Sequence, residues 1–145
     1  MKNNPKFSYT VYMKATPERI WAVITNPLLS QQYWGYKNIS DWKEGSSWQH
    51  VANDNKSTVK LVGEVLKFNS KELILTWASP ENLEDKSRVT FKINAIKDAV
   101  YLSVTHDNFQ AGSKMFKEIM TGWPQVLSNM KSFLETGKTY SNRYQ

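Results

Sequence analysis

Between Ile39 and His106 the sequence alternates apolar and polar residues with hardly a break, and nothing inside that run has helical spacing. Residues of period two face opposite sides of a sheet. Val59, Leu61, Gly63 and Val65 alternate with Lys60, Val62, Glu64 and Leu66. Val89, Phe91 and Ile93 alternate with Arg88, Thr90 and Lys92, and Val100, Leu102, Val104 and His106 with Tyr101, Ser103 and Thr105. Further strands are predicted over 39–42, 46–53 and 73–77. Turn residues separate them at Lys43-Glu44-Gly45, Asn53-Asp54-Asn55 and Asn69-Ser70, and Ser79 to Asp85 reads as a polar loop. Strands joined by short turns pair as antiparallel hairpins. The absence of βαβ alternation argues against a parallel sheet.

Helical signals flank this run. Residues 6–14 alternate as a first strand. Thr16-Pro17-Glu18 then has the form of a helix start: a hydroxyl cap, proline at the first position and an acid in the first turn. Asn26-Pro27 repeats the signal, so two brief helices follow in tandem. At the far end Phe116, Ile119, Met120, Trp123, Leu127, Met130 and Leu134 recur at spacings of three and four, one face of a long helix that Gly137 stops. Gly122-Trp123-Pro124 breaks the rule in its middle. Either two helices meet there, or one helix bends around the sheet and its first half, Lys114 to Met120, moves as a lid; both readings expect a kink or bulge at 120–124. The fold class is α+β: an antiparallel sheet of about six to seven strands, one face covered by the long helix. Residues 1–137 form a single domain, and 138–145 a polar tail expected to fray.

Composition excludes several function classes. No cysteine is present, which removes thiolate metal sites, disulfides and cysteine nucleophiles. No run approaches the ~20 apolar residues of a membrane span, and the opening residues lack a signal-peptide pattern, so the expected location is cytoplasmic. The net charge is +6, yet the lysines are spread singly from Lys2 to Lys138. Without a basic cluster, no specific nucleic-acid partner is expected.

The ordered motifs resemble a known family. Pro17-Glu18-Arg19-Ile20-Trp21, Thr25-Asn26-Pro27 and Tyr33-Trp34 look like its opening helices. Gly63-Glu64-Val65, Leu75-Thr76-Trp77 and Ser87-Arg88-Val89-Thr90-Phe91 look like successive strands. Gly122-Trp123, Leu127, Met130, Phe133-Leu134-Glu135 and Gly137 look like its closing helix. Over residues 7–137 the chain resembles the bacterial single-domain members of the activator of heat-shock protein 90 ATPase homologue-like family, within the START-like (SRPBCC, Bet v 1-like) superfamily. The resemblance implies a helix-grip fold with a cavity between sheet and helix, a feature this superfamily uses to hold hydrophobic ligands. It also implies a chaperone as an alternative partner.

The residues themselves supply little catalytic chemistry. His50 and His106 have no accompanying HxxxH, HExxH or carboxylate-rich spacing, so no metal site is assigned. No GxSxG elbow, GxGxxG or phosphate loop occurs, and no cofactor or catalytic residue is assigned. Glu64 and Arg88 share the outward parity and are candidates to pair across the sheet. Trp48, Trp77, Phe91, Phe116, Met120, Trp123, Leu127 and Met130 fall on interior faces. Large rings on a curved sheet facing a helix leave gaps, and ligand pockets are apolar with few polar groups. Tyr33, Trp34 and His106 are placed at the mouth as those polar groups. The expectation is a small apolar or aromatic ligand, with the protein a monomer or homodimer. The alternatives are a co-chaperone docking through its basic surface, and a cyclase or hydrolase using His106 or a tyrosine as acid/base.

Overall fold

A computed structural model describes residues 5–141. Strand β1 (Phe7–Met13) leads into α1 (Pro17–Thr25) and α2 (Pro27–Trp34). Strands β2 (Tyr36–Ser40), β3 (Ser47–Ala52), β4 (Val59–Phe68), β5 (Glu72–Ser79), β6 (Asn82–Ile96) and β7 (Ala99–Asp107) follow, and α3 (Met115–Thr136) closes the chain. The seven strands form one sheet in the order β1-β7-β6-β5-β4-β3-β2, every pair antiparallel. The helices lie on its concave, apolar face, which is the α+β helix-grip arrangement.

Local chemistry sets the helix boundaries. The Thr16 hydroxyl accepts from the Arg19 amide at 3.2 Å. Asn26 serves two helices: its N–H donates to the Ala22 carbonyl and ends α1, while its Oδ1 accepts from Leu28 and Leu29 and starts α2. Gly35 and Gly137 end α2 and α3 in the left-handed conformation, at φ of 79° and 80°. Tertiary bonds then fix α1 to α2 and to the sheet: the Tyr33 hydroxyl of α2 donates to the Val23 carbonyl of α1 at 2.8 Å, and Asn38 Nδ2 of β2 to the Ile24 carbonyl of α1 at 2.8 Å.

Gly63 is required by a close approach. The Trp48 side chain crosses β4 so that its indole N–H donates to the Thr76 carbonyl at 2.7 Å. A Cβ at position 63 would stand 1.9 Å from that carbonyl oxygen and 2.4 Å from Trp48 Nε1. The glycine therefore lets an aromatic side chain of β3 reach β5 across the intervening strand.

Four expectations need correction. The polar stretch 79–85 is not a free loop: β5 and β6 meet around Pro80-Glu81, with Ser79 opposite Asn82. The ladder next pairs Trp77 with Ser87, so residues 83–86 bulge from it. Their polarity reflects that exposed bulge rather than a gap between strands. Strand β2 begins at Tyr36, earlier than the Ile39 read from the alternation. Pro124 lies inside one continuous helix, so two helices do not meet there. Proline in a helix costs about 3 kcal/mol, but Trp123, Val126 and Leu127 on the same turns are buried, and helix stability in proteins comes mostly from such packing. Finally, the tail is held down through Ser141, because buried Asn129 accepts from the Tyr140 and Ser141 amides at 3.1 Å; residues 142–145 lie outside the described residues.

The paired charges also differ from expectation. Arg88 pairs with Asp107, not Glu64, through two bonds of 2.9 Å. The β6–β7 register sets Arg88 directly opposite Asp107, whereas Glu64 lies opposite Ser47.

Candidate functional site

The two ends of α3 meet the sheet differently. Towards its C-terminal end Leu127, Met130 and Leu134 are buried in the core cluster that also holds Met13, Leu102 and Val104, and none of the three borders the pocket. Towards its N-terminal end Met115, Ile119, Gly122 and Trp123 line one side of an open pocket of about 730 Å³, whose other walls come from α2, β2 to β5 and the start of β6. Its deep wall is aromatic: Trp34, Tyr36 and Trp77, with Trp123 from α3. These rings contact one another, with centroids 5.4 Å apart for Trp77–Trp123 and 5.6 Å for Trp34–Trp123. Lys60, Glu81, Asp85, Lys114 and Glu118 stand around the rim.

Gly122 borders this space, and a Cβ there would meet nothing within 4 Å. A helix-interior glycine costs about 1 kcal/mol relative to alanine. Here it keeps the helix surface flat where the pocket abuts it.

The expected site residues divide into three sets. Trp34, Trp77 and Trp123 line the pocket. Tyr33, Trp48, Phe91, His106, Leu127 and Met130 lie in the closed core behind it, at 1% exposure or less. Tyr33 is therefore not at a mouth; burial raises its hydroxyl pKa, and the group is spent on the Val23 carbonyl. Phe116 is half-buried and packs edge-on to Phe109, whose centroid is 5.2 Å away. Met120 is 48% exposed and faces solvent, contrary to the sequence pattern. It sits about 100° round the helix from Ile119, at the flank of the buried stripe.

The histidines have opposite circumstances. At His106 both ring nitrogens are occupied. The Trp123 indole N–H donates to Nδ1 at 3.1 Å, so the proton belongs on Nε2, which donates to Ser87 Oγ at 2.7 Å. Ser87 in turn donates to the Trp77 carbonyl at 3.2 Å. A serine hydroxyl 2.7 Å from a histidine resembles a nucleophile and its base, but here the polarity is reversed. A base must offer a lone pair to the hydroxyl, and this Nε2 carries the proton. Burial also pushes the His106 pKa down to about 3. His106 is a structural residue, neither a mouth group nor an acid/base.

At His50 only one nitrogen is occupied. Asn38 Nδ2 is committed to the Ile24 carbonyl, so its Oδ1 faces His50 Nδ1 at 2.6 Å and accepts its proton. Nε2 therefore keeps its lone pair, and it has no hydrogen-bond partner among the described residues. The side chain is 3% exposed, borders the pocket, and stacks on Tyr36 with a centroid distance of 4.3 Å. Burial pushes its pKa down to about 3. A register shift between His50 and Val51 turns successive residues inward there. Asp85 is a second unsatisfied acceptor at this pocket: its Oδ1 is buried without a partner. Sequence reasoning missed both roles. Parity placed His50 inward, but neither a tautomer nor a bulge is written in the alternation. Among the described residues, no three His, Asp or Glu side chains are grouped to hold a metal ion. Among the described residues, no helix is long and apolar enough to cross a membrane.

Comparison with known proteins complements the geometry. A family model described as "Activator of Hsp90 ATPase homolog 1-like protein" matches residues 14–135. No curated protein matches the chain. Among solved structures, a Cytophaga hutchinsonii protein is 27% identical, with a TM-score of 0.75 over 94% of this chain and 98% of its own. The Aha1 dimer from Colwellia psychrerythraea is 20% identical, with a TM-score of 0.75 over 92% of this chain and 98% of its own. An HSP90 activator from Plasmodium falciparum is 21% identical, with a TM-score of 0.74 over 90% of this chain and 96% of its own.

Proposed function

We propose that this chain, which belongs to the activator of Hsp90 ATPase homolog 1-like family, is a binding protein for a small aromatic molecule held between its sheet and the N-terminal half of α3. The observation that carries this reading is the aromatic wall of the pocket. Trp34, Tyr36, Trp77 and Trp123 converge on a space of about 730 Å³, within the range that small-molecule sites occupy. The glycine at 122 adds support, because a chain selected for packing alone would fill that space. The histidines support binding over catalysis, since His106 is bonded on both ring nitrogens and burial makes both rings weak bases.

A set of small aromatic compounds tests the reading by thermal shift and tryptophan quenching. A ligand at 100 times its Kd stabilises the fold by about 2.7 kcal/mol. Compounds that bind should raise Tm and quench emission; no shift across a broad aromatic set would contradict the reading.

Family membership favours a second reading, a regulatory partner of a chaperone ATPase, as the structure from Plasmodium falciparum is described. Stimulation of a bacterial Hsp90 ATPase by the purified protein would support it, and stimulation unchanged by blocking the pocket would separate it from the first.

A further inference from the structure

Two acceptor atoms at the pocket have no hydrogen-bond partner among the described residues: His50 Nε2, on the aromatic wall, and Asp85 Oδ1, which is buried. A buried acceptor without a donor, as at Asp85, costs about 1–3 kcal/mol, and an acceptor that borders a pocket without a protein donor, as at His50, is a place where a bound molecule supplies one. His50 is the better defined of the two. Asn38 takes the proton on Nδ1 and is itself locked by the Ile24 carbonyl, so the ring cannot exchange tautomers without breaking a 2.6 Å bond. Tyr36 on one side, with Trp34 at a centroid distance of 4.6 Å, fixes the ring plane.

We infer that His50 is the polar anchor of the pocket, and that the ligand is an aryl alcohol whose hydroxyl donates to His50 Nε2 while its rings lie against Trp34 and Trp77. This deepens the binding reading and rests on it. A neutral imidazole with a bare Nε2 rejects a molecule that offers only acceptors there, because lone pair would meet lone pair. A carboxylate or ketone directed at this position is disfavoured for that reason. A hydroxyl satisfies the nitrogen and leaves the rings to the tryptophans. Sites built to hydrogen-bond one group discriminate strongly against analogues that lack it.

The test uses two probes of nearly equal shape, 2-naphthol and 2-fluoronaphthalene, titrated into the full-length protein by NMR. The anchor predicts that 2-naphthol binds about 5- to 10-fold tighter, the effect of one neutral hydrogen bond. In His50→Phe the preference should vanish while 2-fluoronaphthalene keeps its affinity. Long-range ¹⁵N correlations supply a readout that needs no variant: His50 protonated at Nδ1 in the free protein, with Nε2 shifted by 2-naphthol and not by the fluoro analogue. Equal affinity for both probes would overturn the anchor and leave the pocket reading standing. No binding by either probe would overturn both. A free protein with the proton on Nε2 would overturn the anchor whatever the affinities.

Discussion

The two buried histidines lie on the same concave face, yet one closes the structure and the other leaves it open. His106 is sealed at 0% exposure with donors and acceptors matched on both nitrogens. His50 is nearly as buried but matched on one side only. Burial alone therefore does not mark a functional side chain. The unmatched hydrogen bond is what separates the two rings, and it borders the pocket at the N-terminal half of α3.

Acid should expose what the two sites share. Both histidines are neutral in the folded protein, with pKa values near 3, while an unfolded histidine titrates near 6.5. Above pH 6.5 both states are neutral and stability is full. Between pH 6.5 and 3 the unfolded state binds more protons, so stability falls as pH falls. From pH 7 to pH 5 the two sites together should cost about 4 kcal/mol, and replacing either histidine should halve the slope. Urea melts at several pH values check this; a flat profile over that range would mean the rings are not held neutral.

The next prediction separates the two ends of α3. Leu127→Ala removes fully buried core at the closed end and should cost about 3 kcal/mol. Ile119→Ala borders the pocket, where no new closed cavity forms, and should cost less than half of that. The same melts at neutral pH compare them; equal losses would mean the open end is as tightly packed as the closed one.

Arg88→Ala should have the smallest effect, at most about 1 kcal/mol, because the Arg88 side chain of the pair is half-exposed to solvent. Asp107 is nevertheless held below the usual carboxylate range by the Arg88 guanidinium, so what stability the pair contributes is present at neutral pH and lost in acid. Denaturation of the variant at pH 7 checks the magnitude.

Much of this was legible in the sequence, for identifiable reasons. Alternation located β1, β4, β5 and β7 because each buries one face only. Thr16 and Asn26 announced their helices because capping is local chemistry. The early start of β6 was hidden because residues 83–86 bulge and carry no alternation. Met120 was misplaced because helical spacing defines a stripe but not its edges. Trp77 and Trp123 were named as cavity candidates from their interior faces and Trp34 as a polar group at the mouth, and all three border the pocket. His50, Asn38 and Asp85 were not, since their importance lies in which hydrogen bonds are made and which are missing. Asn129, which ties down the chain end, was invisible for the same reason.

The central claim is that the open end of the sheet–helix gap takes a small aromatic molecule while the closed end does not. The six tryptophans report on it directly, because each indole N–H gives its own signal in a ¹H–¹⁵N spectrum. Trp21 and Trp42 donate to the Ser70 and Thr25 carbonyls, at 2.9 and 3.0 Å, and neither borders the pocket. Titration with a binding aromatic compound should move the indole signals of Trp34, Trp77 and Trp123 and leave those of Trp21 and Trp42 in place. Shifts confined to Trp21 and Trp42, or none at saturating compound, would contradict the account.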